Sequence, residues 1–401
     1  MKILLVSTLY APNILGGAER VAQDLAEDLA RRGHSVRVAC LAAQGEARGA
    51  ELNGVHVDYL SLRNLYWPYP VAEAGAMRKA LWHALDTYNP SMAHALGRLL
   101  DVHRPDVVNT HNISGFSVAA WKAVKERRLP LVHTLHDHYL LCPYTTMFRG
   151  SSDCKRQCLE CRVYGSLRRR GTRQVDGVVG VSRYILDKHL ELGCFANTPA
   201  RVVYSGYDAS SAAADRPPRA SGSPLRIGYL GRIIPIKGVD RLIDAFLALS
   251  GGLAELWIAG AGDPLYEAAL KKRTANRGDV RWLGFVRPEA VLRELDVLVV
   301  SSRVREAMGR VVVEGFSFGL PVAGANRGAI PELIGEDCGW VFDPDRPGEL
   351  ISILQHCVEQ PERLRAMKNA AYSRARGFTR DATVSGYLTA YREAIGDRAR
   401  Q

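Results

Sequence analysis

Long hydrophobic runs are missing from this 401-residue chain. No stretch approaches the ~20 apolar residues of a membrane span. The opening Met1-Lys2-Ile3-Leu4-Leu5-Val6-Ser7 is too short and carries too little charge for a signal peptide. The expectation is a cytoplasmic protein. Cysteine is sparse as well, with eight residues, several of them isolated in apolar segments (Cys40, Cys338, Cys357). That excludes a disulfide framework and reads as reduced thiols filling core positions. Acid is the scarcer charge, 42 Asp and Glu against 53 Lys and Arg, for a net charge of +11. Such a balance favours polyanionic or membrane-surface partners. No zinc-finger, RRM, KH or basic-zipper pattern accompanies it, so nucleic acid is not expected. The bases gather at Arg127 and Arg128 and at Arg168, Arg169, Arg170 and Arg173. They read either as a solvated face or as a contact that brings the protein to the inner membrane surface.

What remains is ordinary globular composition, 47% hydrophobic and 24% charged, on a chain long enough for two domains. Strand patterns (Lys2 to Ser7, Val36 to Leu41, Val55 to Leu60, Asp106 to Thr110, Leu131 to Leu135, Gly177 to Val181) alternate with helical ones, beginning at about Ala18 to Arg32. This is the pattern of an α/β protein with a parallel sheet covered on both faces. Between Asp208 and Pro224 the chain turns to Ser, Ala, Asp, Arg, Pro and Gly with little to bury, which marks a linker. The alternation restarts at Leu225. The domains are therefore expected at 1–207 and 225–375, joined by 208–224. Arg363 to Ile395 reads as helical throughout, with 376–401 as a C-terminal helix free to cross back to the first half.

The chain is organised around Ser301 to Val322. An apolar strand, Val297 to Val300, delivers a loop carrying Glu306, Met308 and Gly309, and Val311, Val312, Phe316 and Leu320 then recur at helical spacing. A strand end, a small-residue loop and a helix start together present free backbone N–H groups and a positive dipole end to an anion. An earlier helix start would instead make Glu306, Arg310 and Glu314 an i,i+4 ion-pair ladder on a solvated face. Upstream, Gly231 and Arg232 follow the first strand of the second half, and Pro235-Ile236-Lys237-Gly238 opens its first helix. Arg232 and Lys237 both reach the crevice beyond the strand ends, where guanidinium and ammonium suit a phosphate. Taken alone, this is a strand-to-helix turn with surface bases.

Glycine text recurs at further strand ends: Gly260-Ala261-Gly262-Asp263, Leu283-Gly284-Phe285-Val286 and Ala325-Asn326-Arg327-Gly328-Ala329. In this order, with Arg232, Lys237, Glu306 and Glu314, the stretch from Ile227 to Pro344 resembles the donor domain of the retaining family-4 glycosyltransferases and their Glu-x7-Glu signature. The resemblance implies a GT-B fold, two Rossmann-like domains facing an interdomain cleft. It implies that Glu306 contacts the donor sugar and Glu314 the ribose hydroxyls. The backbone amides of Met308, Gly309 and Arg310 would hold sugar and phosphate, and Gly284 and Phe285 would border the base. The donor would be a UDP- or GDP-sugar, with no metal needed for the chemistry. Ala307-Met308 departs from the Pro-Phe or Ser-Phe of many members, which leaves sugar selectivity open.

The first half matches more loosely. Gly16-Gly17-Ala18-Glu19-Arg20 looks like the family's glycine loop on the acceptor side; by itself it is a turn and helix start. His136 follows the strand Leu131 to Leu135 and aligns with the family's active-site histidine. His111, Asn112 and Asp137 occupy similar edges, while His133 lies inside its strand as packing. Cys142, Cys154, Cys158 and Cys161 have spacing suited to a structural zinc, or else are buried thiols. The implied function is a retaining transfer of sugar to a glycan or lipid-linked acceptor. A GT-B epimerase and a non-catalytic anionic-surface or zinc-binding scaffold are the rival readings.

Overall fold

The computed structural model describes residues 1–69, 74–150, 152–208, 222–249 and 251–398. Its contacts divide the chain into two compact units. Unit 1 comprises Met1–Met147, Cys154–Ser205 and Arg380–Gln401; unit 2 comprises Phe148–Asp153 and Gly206–Thr379. The expected linker 208–224 lies almost entirely outside the described residues.

Unit 1 is built on strands β1 (Lys2–Val6), β2 (Ser35–Ala42), β3 (Arg48–Leu52), β4 (Val55–Ser61), β5 (Val107–Thr110), β6 (Leu131–Leu135), β9 (Gly177–Gly180) and β10 (Ala200–Val202), with the short hairpin β7 (Phe148–Arg149) and β8 (Ser152–Asp153) grouping with unit 2. The order across the sheet is β10-β9-β6-β5-β1-β2-β4-β3. All neighbours are parallel except β3 and β4. That antiparallel pair was not expected, although its signal is present: Asn53-Gly54 both hold positive φ, 52° and 79°, as a two-residue hairpin turn of matching twist requires.

The last helix, Arg380–Arg398, belongs to unit 1. Its Tyr387 and Tyr391 are fully buried, and Asn109 Nδ2 donates to the Tyr391 hydroxyl at 2.7 Å. Arg380 Nε donates to Asp28 Oδ2 at 2.8 Å. The helix is not continuous with the one before it. Pro361–Ala375 ends, and Phe378 turns inward to bury its ring before Arg380–Arg398 begins.

The expected basic cluster is also corrected, because Arg168 is not a surface base. Its side chain is fully buried and pairs with Asp86 at 3.2 Å. On the Leu159–Gly171 helix, Cys161, Gly165 and Arg168 share the inner face at i, i+4 and i+7. A cation on that face must find a buried partner.

Unit 2 carries a six-stranded parallel sheet of β11 (Leu225–Leu230), β12 (Ala254–Ala259), β13 (Val280–Gly284), β14 (Val297–Val300), β15 (Val322–Ala325) and β16 (Gly339–Phe342), in the order β13-β12-β11-β14-β15-β16. Its central strands β14 and β15 are buried on both faces, as a covered parallel sheet demands. Strand order reverses between β11 and β14. The crevice at such a switch point opens beyond the carboxyl ends of the two strands, which here are followed by Gly231 and Ser301.

Candidate active site

Beyond β11, Pro235–Lys237 forms one 3₁₀ turn, and Gly238 (φ 68°) opens the Val239–Leu247 helix. A Cβ on Gly238 would stand 2.1 Å from the Ser301 carbonyl oxygen, so glycine lets the two strand-end loops touch. The contact brings two distant side chains together. Lys237 Nζ donates to Glu306 Oε1 at 2.5 Å, and the Ser302 hydroxyl donates to the same oxygen. Burial alone would raise the Glu306 carboxyl. The Lys237 charge and hydrogen bond, the Ser302 hydroxyl and the Arg232 charge outweigh it and hold the pKa below the ordinary glutamate value. Glu306 is thus an anion at neutral pH. The Arg232 side chain is exposed at the same loop.

The helix after the loop is Arg310–Ser317, entered through Gly309 in the left-handed region (φ 83°). Glu306 therefore stands outside the helix. Of the alternative i,i+4 ladder only the second rung forms, Arg310 Nε to Glu314 Oε1 at 2.9 Å. Met308 is buried, so any part it plays at a ligand falls to its backbone. At the end of β13, Gly284 (φ 67°) turns the chain and Phe285 is left 89% exposed.

A second loop pins Glu306 from behind. Ala329 N–H donates to the Glu306 carbonyl at 2.9 Å. A Cβ on Gly328 (φ 65°) would lie 2.2 Å from that oxygen. Forcing a side chain into this conformation costs about 1–3 kcal/mol before any clash. Gly328→Ala is expected to lower the melting temperature by several degrees and to weaken nucleotide binding with it, both read from thermal unfolding with and without nucleotide. Unchanged values would show that the loop yields without moving Glu306.

The hairpin β7–β8 adds a feature that sequence reasoning missed. Asp153 pairs with Arg305 at 3.2 Å and with Arg327 at 3.4 Å, tying together the two loops that meet at the Glu306 backbone. Burial, the largest influence, raises the Asp153 carboxyl.

In unit 1, His111 follows β5 and His136 follows β6. His111 Nδ1 and His136 Nε2 are 2.8 Å apart, with the rings stacked. Burial holds His136 down at about 3 and His111 well below its usual value, so both imidazoles are neutral at physiological pH. Among the described residues His111 Nε2 is buried without a partner. An unpaired buried N–H is costlier than an unpaired acceptor, which assigns the His111 proton to Nδ1. His136 Nε2 then accepts it, and His136 keeps its own proton on Nδ1 as a donor. His111 was placed at this edge by sequence; its partnership with His136 was not.

Asp137 is raised to about 6 by burial, and its Oδ1 accepts the Tyr139 N–H at 2.7 Å. His133 is buried against Phe195 and hydrogen-bonded to Thr110, a packing role. Gly16 caps the Gly17–Arg31 helix, with its N–H donating to Glu19 Oε2 at 2.9 Å. Neither glycine has the left-handed backbone that favours glycine. A Cβ on Gly17 would meet nothing within 4 Å.

A family model described as Glycosyltransferase Family 4 matches residues 15–211, and one described as Glycosyl transferases group 1 matches residues 224–360. An uncharacterized 42.6 kDa protein in the cps region of Klebsiella pneumoniae is 32% identical over 333 residues, 83% of this chain and 87% of that protein. The chain belongs to the family-4 glycosyltransferases. Its fold is similar to sucrose-phosphate synthase from Thermosynechococcus elongatus, with a TM-score of 0.77 at 16% identity over 99% of this chain and 100% of that one. HepE from Anabaena, solved in complex with UDP, gives 0.73 at 22% identity over 97% of this chain and 99% of that one. The two Rossmann-like units are those of the GT-B fold.

The cysteines of this glycosyltransferase give the zinc expectation no support. Cys161 lies in hydrogen-bonding reach of Cys158 and Cys142, and burial first, then these thiols, push its pKa up. Among the described residues, however, no group of three or more His, Cys, Asp or Glu is arranged to hold a metal ion.

Proposed function

We propose that this glycosyltransferase moves a sugar from a nucleoside diphosphate sugar to an acceptor hydroxyl with retention of anomeric configuration. The observation that carries the reading is the Lys237–Glu306 pair at 2.5 Å, fixed at the switch point of unit 2 beside the exposed Arg232 and ahead of a helix entered through Gly309. In the proposed step the bond between anomeric carbon and diphosphate oxygen breaks, and its electron pair leaves with the diphosphate. The acceptor oxygen bonds to the same face of that carbon and passes its proton to the departing phosphate oxygen. Arg232 and Lys237 take up the charge that builds on the diphosphate, and the N-terminal amides after Gly309 add their dipole. Glu306 fixes Lys237 and accepts hydrogen bonds from sugar hydroxyls. Glu314 is assigned to the ribose and Phe285 to the base, which its exposed ring suits.

For His136 we propose a hydrogen bond donated to a sugar hydroxyl; its neutral ring and depressed pKa do not suit a proton store. Gly16 and Gly17 give clearance to the acceptor. The cps-region relative supports an acceptor in polysaccharide or glycolipid assembly, and the UDP-bound neighbour supports UDP over GDP.

A thermal-shift panel of UDP-, GDP- and ADP-sugars tests the donor. A cognate donor at a hundredfold its dissociation constant is expected to stabilise by about 2.7 kcal/mol. The same donor should turn over only when acceptor is added. An altered sugar formed without acceptor would establish the epimerase reading, and no shift with any nucleotide would establish the scaffold.

A further inference from the structure

Three thiols that sugar transfer does not use meet at one helix start. Cys158 is the N-cap of the Leu159–Gly171 helix and Cys161 is its third residue, in the order Cys158-Leu159-Glu160-Cys161. The cap is formed, since the Arg162 N–H donates to the Cys158 carbonyl at 3.0 Å, so helical geometry governs both cysteines. Positions three apart on a helix lie on one face with their Cα atoms about 5 Å apart. A disulfide needs a Cα separation of about 4.4–6.8 Å. The two sulfurs can therefore join without displacing the helix, and the side chains already lie in hydrogen-bonding reach.

The two thiols differ as a redox pair requires. Cys158 is half-buried; Lys155 and Arg156 precede it and Arg162 follows one turn on, all three exposed. These cations, with the N–H groups and positive dipole end of a helix start, favour a thiolate, which is the nucleophilic form. Glu160, the acid between the cysteines, is engaged by the Tyr144 hydroxyl, which donates to its Oε1 at 3.0 Å. Cys161 is 5% exposed and packs beside the buried Cys142, and burial keeps it a thiol. Core filling accounts for Cys161 and Cys142 but not for Cys158. A structural staple fails as well, because a link across so short a loop constrains the unfolded chain least.

We propose that Cys158 and Cys161 form a redox-active dithiol that hydroperoxides oxidise to a disulfide. The Cys158 thiolate attacks the terminal peroxide oxygen: an S–O bond forms, the O–O bond breaks, and the departing oxyanion takes a proton from solvent. Cys161 then attacks the sulfenic sulfur. The S–S bond forms as the S–O bond breaks, and the Cys161 proton leaves with the hydroxide as water. The pair gives up two electrons and the peroxide gains two; a dithiol reverses the change by exchange. The pair sits on the element that braces the chain after His136. There Arg168 donates to the Tyr139 carbonyl at 2.6 Å, and Gln157 Nε2 donates to the Leu141 carbonyl at 2.7 Å. The proposal rests on none of the donor-site assignments.

The test is oxidation of the full chain with hydrogen peroxide, followed by alkylation, thiol counting and peptide mapping. The chain is expected to lose two of its eight thiols and to regain both with dithiothreitol. The tryptic peptide Gln157 to Arg162 should be two hydrogens lighter and resist alkylation until reduced. Cys158→Ser keeps a good N-cap and is expected to lose thiols more slowly by about tenfold or more. Cys161→Ala should halt at a sulfenic acid on Cys158, trapped by dimedone. Four results would overturn the proposal: no thiol loss, loss that dithiothreitol does not reverse, a cross-link from Cys161 to Cys142 in place of the internal one, or a zinc ion that the purified chain carries and gives up on oxidation.

Discussion

Glu306→Ala and Lys237→Ala are each expected to cut turnover on a working donor and acceptor pair by about 10²- to 10³-fold, the usual loss when one preorganised charge at a reacting centre is removed. Folding should survive. The two side chains are 16% and 22% exposed, in that order, and belong to loops beyond the sheet. The pair acts as a unit: without Glu306 the ammonium loses the carboxylate that aims it, and without Lys237 the carboxylate is left as an unpaired anion where the proposed reaction seats phosphate. The double variant is therefore expected to be little worse than the worse single, a non-additivity that independent roles would not produce. Arg232→Ala should act differently, raising the donor KM as well, because its exposed guanidinium is free to meet the diphosphate in the ground state. Soluble Glu306 and Lys237 variants with near wild-type turnover would remove the donor-site assignment.

The largest effect on stability is expected from Arg168→Leu. Arg168 is fully buried, donates through Nη1 to the Tyr139 carbonyl at 2.6 Å and stands 3.9 Å from the centroid of the Tyr139 ring. It faces Asp86, which also accepts the Gly115 N–H. Breaking a buried pair from one side typically costs about 3–5 kcal/mol, because the abandoned charge has no water to turn to. Burial already pushes Asp86 up to about 7 against the pull of Arg168 and the Gly115 N–H. Without the guanidinium it must rise further. A carboxyl whose folded pKa lies above its unfolded value contributes stability that is complete below the unfolded pKa and is lost as pH rises through the folded one. The variant should therefore be weakest above neutrality and recover part of the loss near pH 5, and denaturant titrations at the two pH values read this directly. Arg168→Lys should rescue little, since an ammonium cannot span Asp86 and the Tyr139 carbonyl as a fork does. A variant as stable as the parent at both pH values would show that the pair carries no stability.

Much of the fold was legible in the sequence because it depends on local periodicity. Alternating apolar strands and amphipathic helices specify two α/β units whatever their neighbours do, whereas the spacing around Glu306 allowed two helix starts, and the fold chose the one after Gly309 that leaves Glu306 outside. Asn53-Gly54 signals the β3–β4 turn as well; β4 reads as a strand from its alternation, while β3 is short and mostly exposed and carries little pattern of its own. What only the tertiary structure decided are the pairings across distance. Lys237 meets Glu306 across 69 residues, and Arg168 meets Asp86 across 82, because strand order places the ends of β11 and β14 together and packs one helix on another. A run of arginines looks alike in sequence whether it is solvated or not; the helical turn on which each falls, and the surface that helix covers, puts Arg168 inside and leaves Arg162 and Arg170 outside.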